Sequence, residues 1–265
     1  MIDETAPFDE LTRIAPTGAG RFTAQLPGGW LQGRGLFGGL VTAVLIRALE
    51  ASAPGRALRS LTAELCGPTQ PGAAELQVEA LRIGSAVSTL TARLVQDGQV
   101  QAHAVGVLGE DRGTAPDRTY LAAPDRVDWR AVEPTPVGPP LAPDFCRHVE
   151  YRSLSVPFSG GRPEVMGWVR PRRPGTTRDA AYLAGCIDAY WPVAYTSLEA
   201  PRRVATIAFT FQPLGDFLGL DADAPMYFRS SVPASRGGYD VELRELWGHD
   251  GRLLALNQQT ICVSK

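Results

Sequence analysis

The sequence predicts an α+β fold of two similar units on one chain, each a curved antiparallel sheet wrapped around a central helix. Three observations carry this. Each half holds one strongly apolar helical stretch followed by four strand-like runs. The last two runs of each half are joined through an Asp-Gly turn, and a proline-rich stretch without periodicity separates the halves.

The first half begins its fold with a glycine-rich turn, Gly33 to Gly39, that leads into LVTAVLIRALEAS. Leu40, Val41, Val44, Leu45, Ala48 and Leu49 recur at helical spacing and give that helix an apolar face. The runs ALRSLTAEL, AELQVEALRI, AVSTLTARLV and QVQAHAVGVL follow. In the third, Leu90, Ala92 and Leu94 alternate with Thr89, Thr91 and Arg93, as a strand requires. Asp97-Gly98 then suits a tight hairpin. From Gly109 to Phe145, seven prolines deny the backbone regular donors, so residues 109–145 are expected to link units at 1–108 and 146–265.

In the second half EVMGWVR reads as a strand, and Thr176 or Thr177 is the expected cap of a helix RDAAYLAGCIDAYW that stops before Pro192. RRVATIAFTFQ, PMYFRSSV, YDVELRELW and RLLALNQQTICV follow as strands, with Asp250-Gly251 between the last two. One helix followed by an antiparallel meander is the plan of a hotdog domain, so the expectation is a double hotdog. A single copy would leave sheet edges open, which favours pairing.

Composition narrows the function. The 26 basic and 28 acidic residues of the 265 leave a net charge of −2, which gives no reason to expect nucleic acid or an anionic membrane surface as partner. Twenty-five of the basic residues are arginine, scattered along the chain apart from Arg170, Arg172 and Arg173. No apolar run approaches the roughly 20 residues of a membrane helix. The acidic start MIDETAPFDELTR lacks a secretory pattern, so a cytoplasmic location is expected. Cys66, Cys146, Cys186 and Cys262 form no C-x-x-C pair, and His103, His148 and His249 have no metal-ligand spacing. Neither a metal nor another cofactor is expected. Lys265 is the only lysine, which excludes an internal G-x-x-x-x-G-K loop, and no serine has the flanks of a nucleophile elbow.

The stretch from LFGGLVTAVLIRALEAS through AELCGPTQPG to VEALRIGSAVSTLTARLV resembles the first hotdog of the type II acyl-CoA thioesterase family. CIDAYW, VATIAFTF and DGRLLALNQQT resemble its second, and together the likeness covers about residues 28–108 and 163–263. The resemblance implies hydrolysis of an acyl-CoA to free acid and coenzyme A. It places the family's site aspartate on Asp188, its hydroxyl residue on Thr206 and its glutamine on Gln259. Gln258 and Thr210 are neighbouring competitors. Where the family carries histidines and an aromatic after the first helix, this chain has Arg59 to Leu65, and the turn proline is Pro68 or Pro71. The family also associates further, so a homo-oligomer is an expectation.

The residues support part of this directly. At helical spacing around Asp188 stand Ala184, Gly185, Trp191 and Pro192, none a cation. An unpaired carboxylate in so apolar a stretch loses hydration and becomes a better proton acceptor; the other reading is an exposed helix flank. Gln259 shares a strand face with Leu253, Ala255, Asn257, Ile261 and Val263, which calls for a buried amide with partners, catalytic or structural. Thr206 shares a face with Val204, Ala208 and Thr210 on simple alternation. The expected reaction is water attack, with Asp188 as base and Thr206 and Gln259 holding the water. Gly38 and Gly39 would admit the thioester, with the N–H groups of Gly39 and Leu40 as oxyanion donors; close helix–sheet packing is the alternative for the glycine pair. A hydratase is disfavoured, since no histidine has an aspartate five residues before it. The rival from another class is an acyl-thioester binding or scaffold protein without turnover.

Overall fold

The computed structural model describes residues 3–113, 116–198, 200, 202–217, 220–221 and 223–264. The first half runs α1 (Phe8–Leu11), β1 (Ile14–Gly18), β2 (Arg21–Leu26), the short pair β3 (Leu31–Gln32) and β4 (Gly35–Leu36), then α2 (Gly38–Ala51). Four strands follow: β5 (Ala57–Leu65), β6 (Gly72–Ile83), β7 (Val87–Gln96) and β8 (Gln99–Gly109). The second half repeats the plan with β9 (Val149–Ser153), β10 (Glu164–Pro171), α3 (Ala180–Asp188) and a short α4 (Ala194–Ser197). It ends with β11 (Arg203–Pro213), β12 (Met226–Arg236), β13 (Tyr239–Trp247) and β14 (Leu253–Ser264).

The strands lie in the order β1-β2-β6-β7-β8-β5-β11-β14-β13-β12-β10-β9, all antiparallel where they pair. The two sheets meet edge to edge where Leu61–Glu64 of β5 pairs with 208–211 of β11, so they run on as one twelve-stranded sheet. The helices pack against each other inside its curve. Nearly every residue of α2 is buried, because Leu40, Val44, Leu45 and Leu49 lie against inward-facing Ala102, Ala104 and Leu108 of β8 and Leu90 and Leu94 of β7. Packing α2 on the sheet thus takes apolar surface out of water, the main favourable term in the fold.

Turn chemistry sets the register. Asp97 and Gly98 both have positive φ, 49° and 73°, the geometry of a two-residue type I′ hairpin. The Asp250-Gly251 turn is wider: Gly248 N–H donates to Arg252 O at 2.8 Å, and β13 and β14 shift register at Leu246/Trp247. Helix α3 is capped by Asp179, whose carboxylate accepts from Tyr182 N–H at 2.9 Å. The expected caps do something else: the amides of Thr176 and Thr177 donate to Asp9 at 2.9 and 3.0 Å. α3 also stops at Asp188, three residues before the expected end. Trp191 precedes a proline and is steered from helical angles, and Tyr190 turns aside to stack on Phe228 at 4.7 Å.

Between the halves, short turns form at Trp129–Ala131 and Asp144–His148. The guanidinium groups of Arg130, Arg152 and Arg170 lie over the Trp129 ring at 4.5, 5.1 and 5.8 Å. Phe145 stacks on Phe37 at the start of α2 (4.2 Å, 7°), and His148 stacks on Trp30 at 4.6 Å. Among the described residues no helix is long and apolar enough to cross a membrane.

Candidate active site

Asp188 is the last residue of α3 and 8% exposed. Its Oδ1 accepts a hydrogen bond from Gln259 Nε2 at 2.8 Å. Gln259, fully buried on β14, accepts at Oε1 from the Thr206 hydroxyl at 2.7 Å. Its Nε2 also donates to Asn257 Oδ1 at 3.0 Å, and Asn257 Nδ2 donates to Thr210 O at 2.7 Å. The chain of bonds fixes the amide: an ionised carboxylate only accepts, so Nε2 must face Asp188 and Oε1 must face Thr206. Asp188, Thr206 and Gln259 are therefore in one connected group. Gln258, the neighbouring competitor, is exposed.

Thr206 reaches Gln259 because β11 is bulged. Its register against β14 shifts between Thr206 and Ala208, Thr206 pairing with Ile261 and Ala208 with Thr260. One extra residue moves the following side chains to the other face. Thr206 therefore shares the inner side with buried Phe209 and Phe211, and the expected companions Ala208 and Thr210 do not face it. β5 pairs with β11 only from Ala208 onward, so Thr206 lies just past the seam between the two sheets.

The expectation that Asp188 lacks a cation is corrected. Arg244 of β13, 2% exposed, places Nη1 3.4 Å from Asp188 Oδ1 and donates from the same nitrogen to Ile187 O at 3.1 Å. It thereby also satisfies a carbonyl at the end of α3. Arg244 Nε is bonded in turn to Glu242 Oε1 at 2.7 Å, and Glu242 has no exposed surface. Glu242 further accepts from Ser230 Oγ at 2.8 Å and from Val193 N–H at 2.9 Å. Glu242 and Arg244 come from a strand, not from the helix that carries Asp188. On β13 the polar set, Asp240, Glu242 and Arg244, points inward, and Tyr239, Val241 and Leu243 are exposed. The sequence does hold one signal for this: Glu242 pairs directly with Gln259, so an inward glutamine requires an inward glutamate.

The start of α2 faces Asp188 from the first half. Its cap position is Phe37, which offers no side-chain hydrogen bond, so the Gly39 N–H of the first turn meets the carboxylate instead. A Cβ on Gly38 would lie 3.0 Å from Asp188 Oδ2, and one on Gly39 would lie 3.0 Å from Asp188 Cβ and 2.5 Å from Phe37 Cζ. The glycine pair is what lets the two helix ends come this close. The Gly39 N–H is turned to the carboxylate, whereas the Leu40 N–H is bonded to Phe37 O at 3.1 Å.

Burial raises the Asp188 pKa to about 6, against the pull of Arg244, Gln259 and the Gly39 N–H; the Glu242 charge adds to the rise. The carboxylate is therefore a base matched to neutral pH. The cysteines of the interior are not nucleophiles there, since burial pushes Cys146 up to about 11 and Cys186 up to about 12. Among the described residues, no group of three or more metal-ligating side chains forms.

Comparison with known proteins agrees with this architecture. Residues 26–109 match the acyl-CoA thioesterase N-terminal domain, and residues 121–263 match the acyl-CoA thioesterase C-terminal domain. No curated protein matches significantly. The fold is that of a hot dog protein of unknown function from Alicyclobacillus acidocaldarius (TM-score 0.87, 23% identity, 97% of this chain and 98% of that one). It is also that of the acyl-CoA thioesterase II TesB2 from Mycobacterium marinum (0.76, 16%, 97% and 98%) and of a tesB protein from Mycobacterium avium subs paratuberculosis (0.76, 17%, 97% and 98%). The chain belongs to the acyl-CoA thioesterase family and is a thioester hydrolase with an α+β double-hotdog fold.

Proposed function

We propose that this protein hydrolyses an acyl-CoA thioester with a water activated by Asp188. The observation that carries the reading is the bonded series Asp188–Gln259–Thr206, buried where the start of α2 meets the end of α3. The Thr206 hydroxyl donates its proton to Gln259, which leaves its lone pairs to accept one hydrogen of the water. The other hydrogen goes to Asp188 as the water oxygen bonds to the thioester carbonyl carbon. The tetrahedral intermediate then expels the coenzyme A thiolate, which takes up the proton held by Asp188, and the acid is released. The oxyanion forms at the positive end of α2, where the helix dipole favours it; the Gly39 N–H is engaged by Asp188 and the Leu40 N–H by Phe37 O. Gly38 and Gly39 carry no side chain that would stand between a thioester and Asp188. The same reading assigns residues 1–108 and 146–265 to the two hotdog units, with 109–145 as their connection.

Thiol release from a panel of acyl-CoA substrates tests the proposal. The wild-type protein is expected to turn over at least one of them, with kcat/KM rising on its acid limb near pH 6. Asp188→Asn is expected to lower the rate at least tenfold with an unchanged circular dichroism spectrum, in line with the roughly 10²–10⁴-fold worth of a positioned base. Tight acyl-CoA binding with no thiol release from any substrate would support the scaffold reading in its place.

A further inference from the structure

Two oxygens of one carboxylate have unlike surroundings in this site. Oδ1 of Asp188 is held by Gln259 Nε2 and Arg244 Nη1; Oδ2 lies toward Gly38, whose missing side chain lets the start of α2 come close to it. Arg244 does not stand alone. Its Nε is fixed by Glu242, and Glu242 is fixed by Ser230 and the Val193 amide, so the guanidinium is braced on one side and presented to Asp188 on the other. Its face also lies 5.6 Å from the Phe228 ring, which closes it off from water.

We infer that Glu242 and Arg244 are positioning residues that hold Asp188 through Oδ1, leave Oδ2 as the oxygen that receives the proton, and set the pH at which the carboxylate ionises. The inference rests on the proposed role of Asp188 as base. A buried ion pair is a costly way to stabilise a fold, since burying both charges loses as much hydration as their attraction returns. Its placement against a third buried charge gives it another consequence. The cation favours ionised Asp188 and the second carboxylate opposes it, so removing each must move the titration in opposite directions. Among the described residues, the other groups packed around Asp188 supply no competing charge. From β14 come the neutral amides of Gln259 and Asn257, from β11 the Thr206 hydroxyl, and from α2 only backbone and glycine. From β9 comes the Tyr151 hydroxyl, bonded to Ala189 O and held neutral by burial, and on α3 itself the buried Cys186 thiol.

The test is a titration of the aspartate carboxyl carbons by NMR, run beside the pH dependence of kcat/KM, in full-length wild type, Arg244→Gln, Arg244→Lys and Glu242→Gln. Arg244→Gln is expected to raise the Asp188 midpoint and the acid limb by about one pH unit, and Glu242→Gln to lower both. Arg244→Lys keeps the charge but not the two-sided grip; it is expected to keep the midpoint near wild type with a lower kcat. Arg244→Gln leaves two buried carboxylates without their cation, so if it fails to fold, the downward shift in the near-isosteric Glu242→Gln and the unshifted midpoint in Arg244→Lys carry the test. Thiol release from wild type with no shift in the folded variants, or shifts of the same sign, overturns the inference and leaves the Asp188 reading standing. Opposite shifts by NMR with no thiol release from any acyl-CoA would sink the hydrolytic reading and leave the electrostatic one intact.

Discussion

In the first half of the molecule β7 and β8 meet under α2 with Leu90 opposite Gly106 and Ala92 opposite Ala104. The matching strands of the second half, β13 and β14, set Glu242 opposite Gln259 and Arg244 opposite Asn257. The backbone plan is the same and the side chains are of opposite kinds. The helices explain why both are stable. α2 runs 14 residues and carries hydrocarbon across its sheet; Leu49 fills the space above Gly106, where a Cβ would come within 2.8 Å of its Cδ1. α3 runs 9 residues and ends at Asp188, so the matching space receives strand side chains instead of a further helical turn. Those side chains are polar, and each has a partner within the group, which is the condition for burying them at tolerable cost. One half is thus packed, the other is equipped, and the packed half contributes to the site only the uncapped start of its helix.

The largest effect should come from moving chemistry into the packed half. Leu90→Glu places a carboxylate at the position matching Glu242, among Ala92, Ala104 and Leu108, where the Arg56 guanidinium on the same face is already taken up by Ser88, Gly84 O and Ser85 O. Stability by urea denaturation is expected to fall by several kcal/mol, on the order of 3–5, as for other buried charges without partners. A loss below about 1 kcal/mol, the size of an ordinary substitution, would mean that the first half solvates charge as the second does, and the contrast would be gone.

The order of elements could be read from the sequence because it rests on local signals. Helical spacing from Leu40 to Leu49, the Asp-Gly turns and the alternation in β7 all act within a few residues. Resemblance pointed to Asp188, Thr206 and Gln259, and the structure brings those three into hydrogen-bonded contact. What stayed hidden depends on register over longer distances. Tyr239 to Trp247 alternates as clearly as β7 does, but alternation does not tell which set faces in, and the usual apolar-inward reading is the reverse of what β13 does. The bulge at Ile207 and the register shift at Leu246/Trp247 each turn side chains over, and the bulge has no glycine or proline to mark it. Arg244 could not be found from the helix neighbours of Asp188, because it arrives from a strand 56 residues further along the chain.

A middle-sized effect concerns the cost of the equipped half. The fold holds the Asp188 pKa at about 6 against an ordinary 3.8, so folding favours the protonated form. This contribution is present in full below pH 4 and is lost as pH rises through 6, leaving ionised Asp188 a burden of about 3 kcal/mol at pH 8. Asp188→Asn cannot ionise, and its neighbours Glu242 and Arg244 still balance each other. Its stability relative to wild type is therefore expected to rise by about 3 kcal/mol between pH 3 and pH 8, read from paired denaturation curves. A difference that does not change with pH would show that Asp188 ionises as freely folded as unfolded, and that the second half bears no such cost.

The smallest effect separates two threonines on one strand. Thr206 and Thr210 would share a face if β11 were regular, and substitution of either by valine would then act alike. With the bulge between them, Thr206 gives its proton to buried Gln259 Oε1, and the group it abandons has no other donor in this network. Thr206→Val should cost about 1–2 kcal/mol from the unsatisfied amide oxygen and lower kcat about tenfold, with Thr206→Ser restoring most of both. Thr210 contributes its backbone carbonyl, not its side chain, to Asn257, so Thr210→Val should stay within about 0.5 kcal/mol and leave kcat near wild type. Equal losses from the two would put both hydroxyls on the inner face, which a bulged strand forbids, and would remove the geometric reason for giving the water to Thr206.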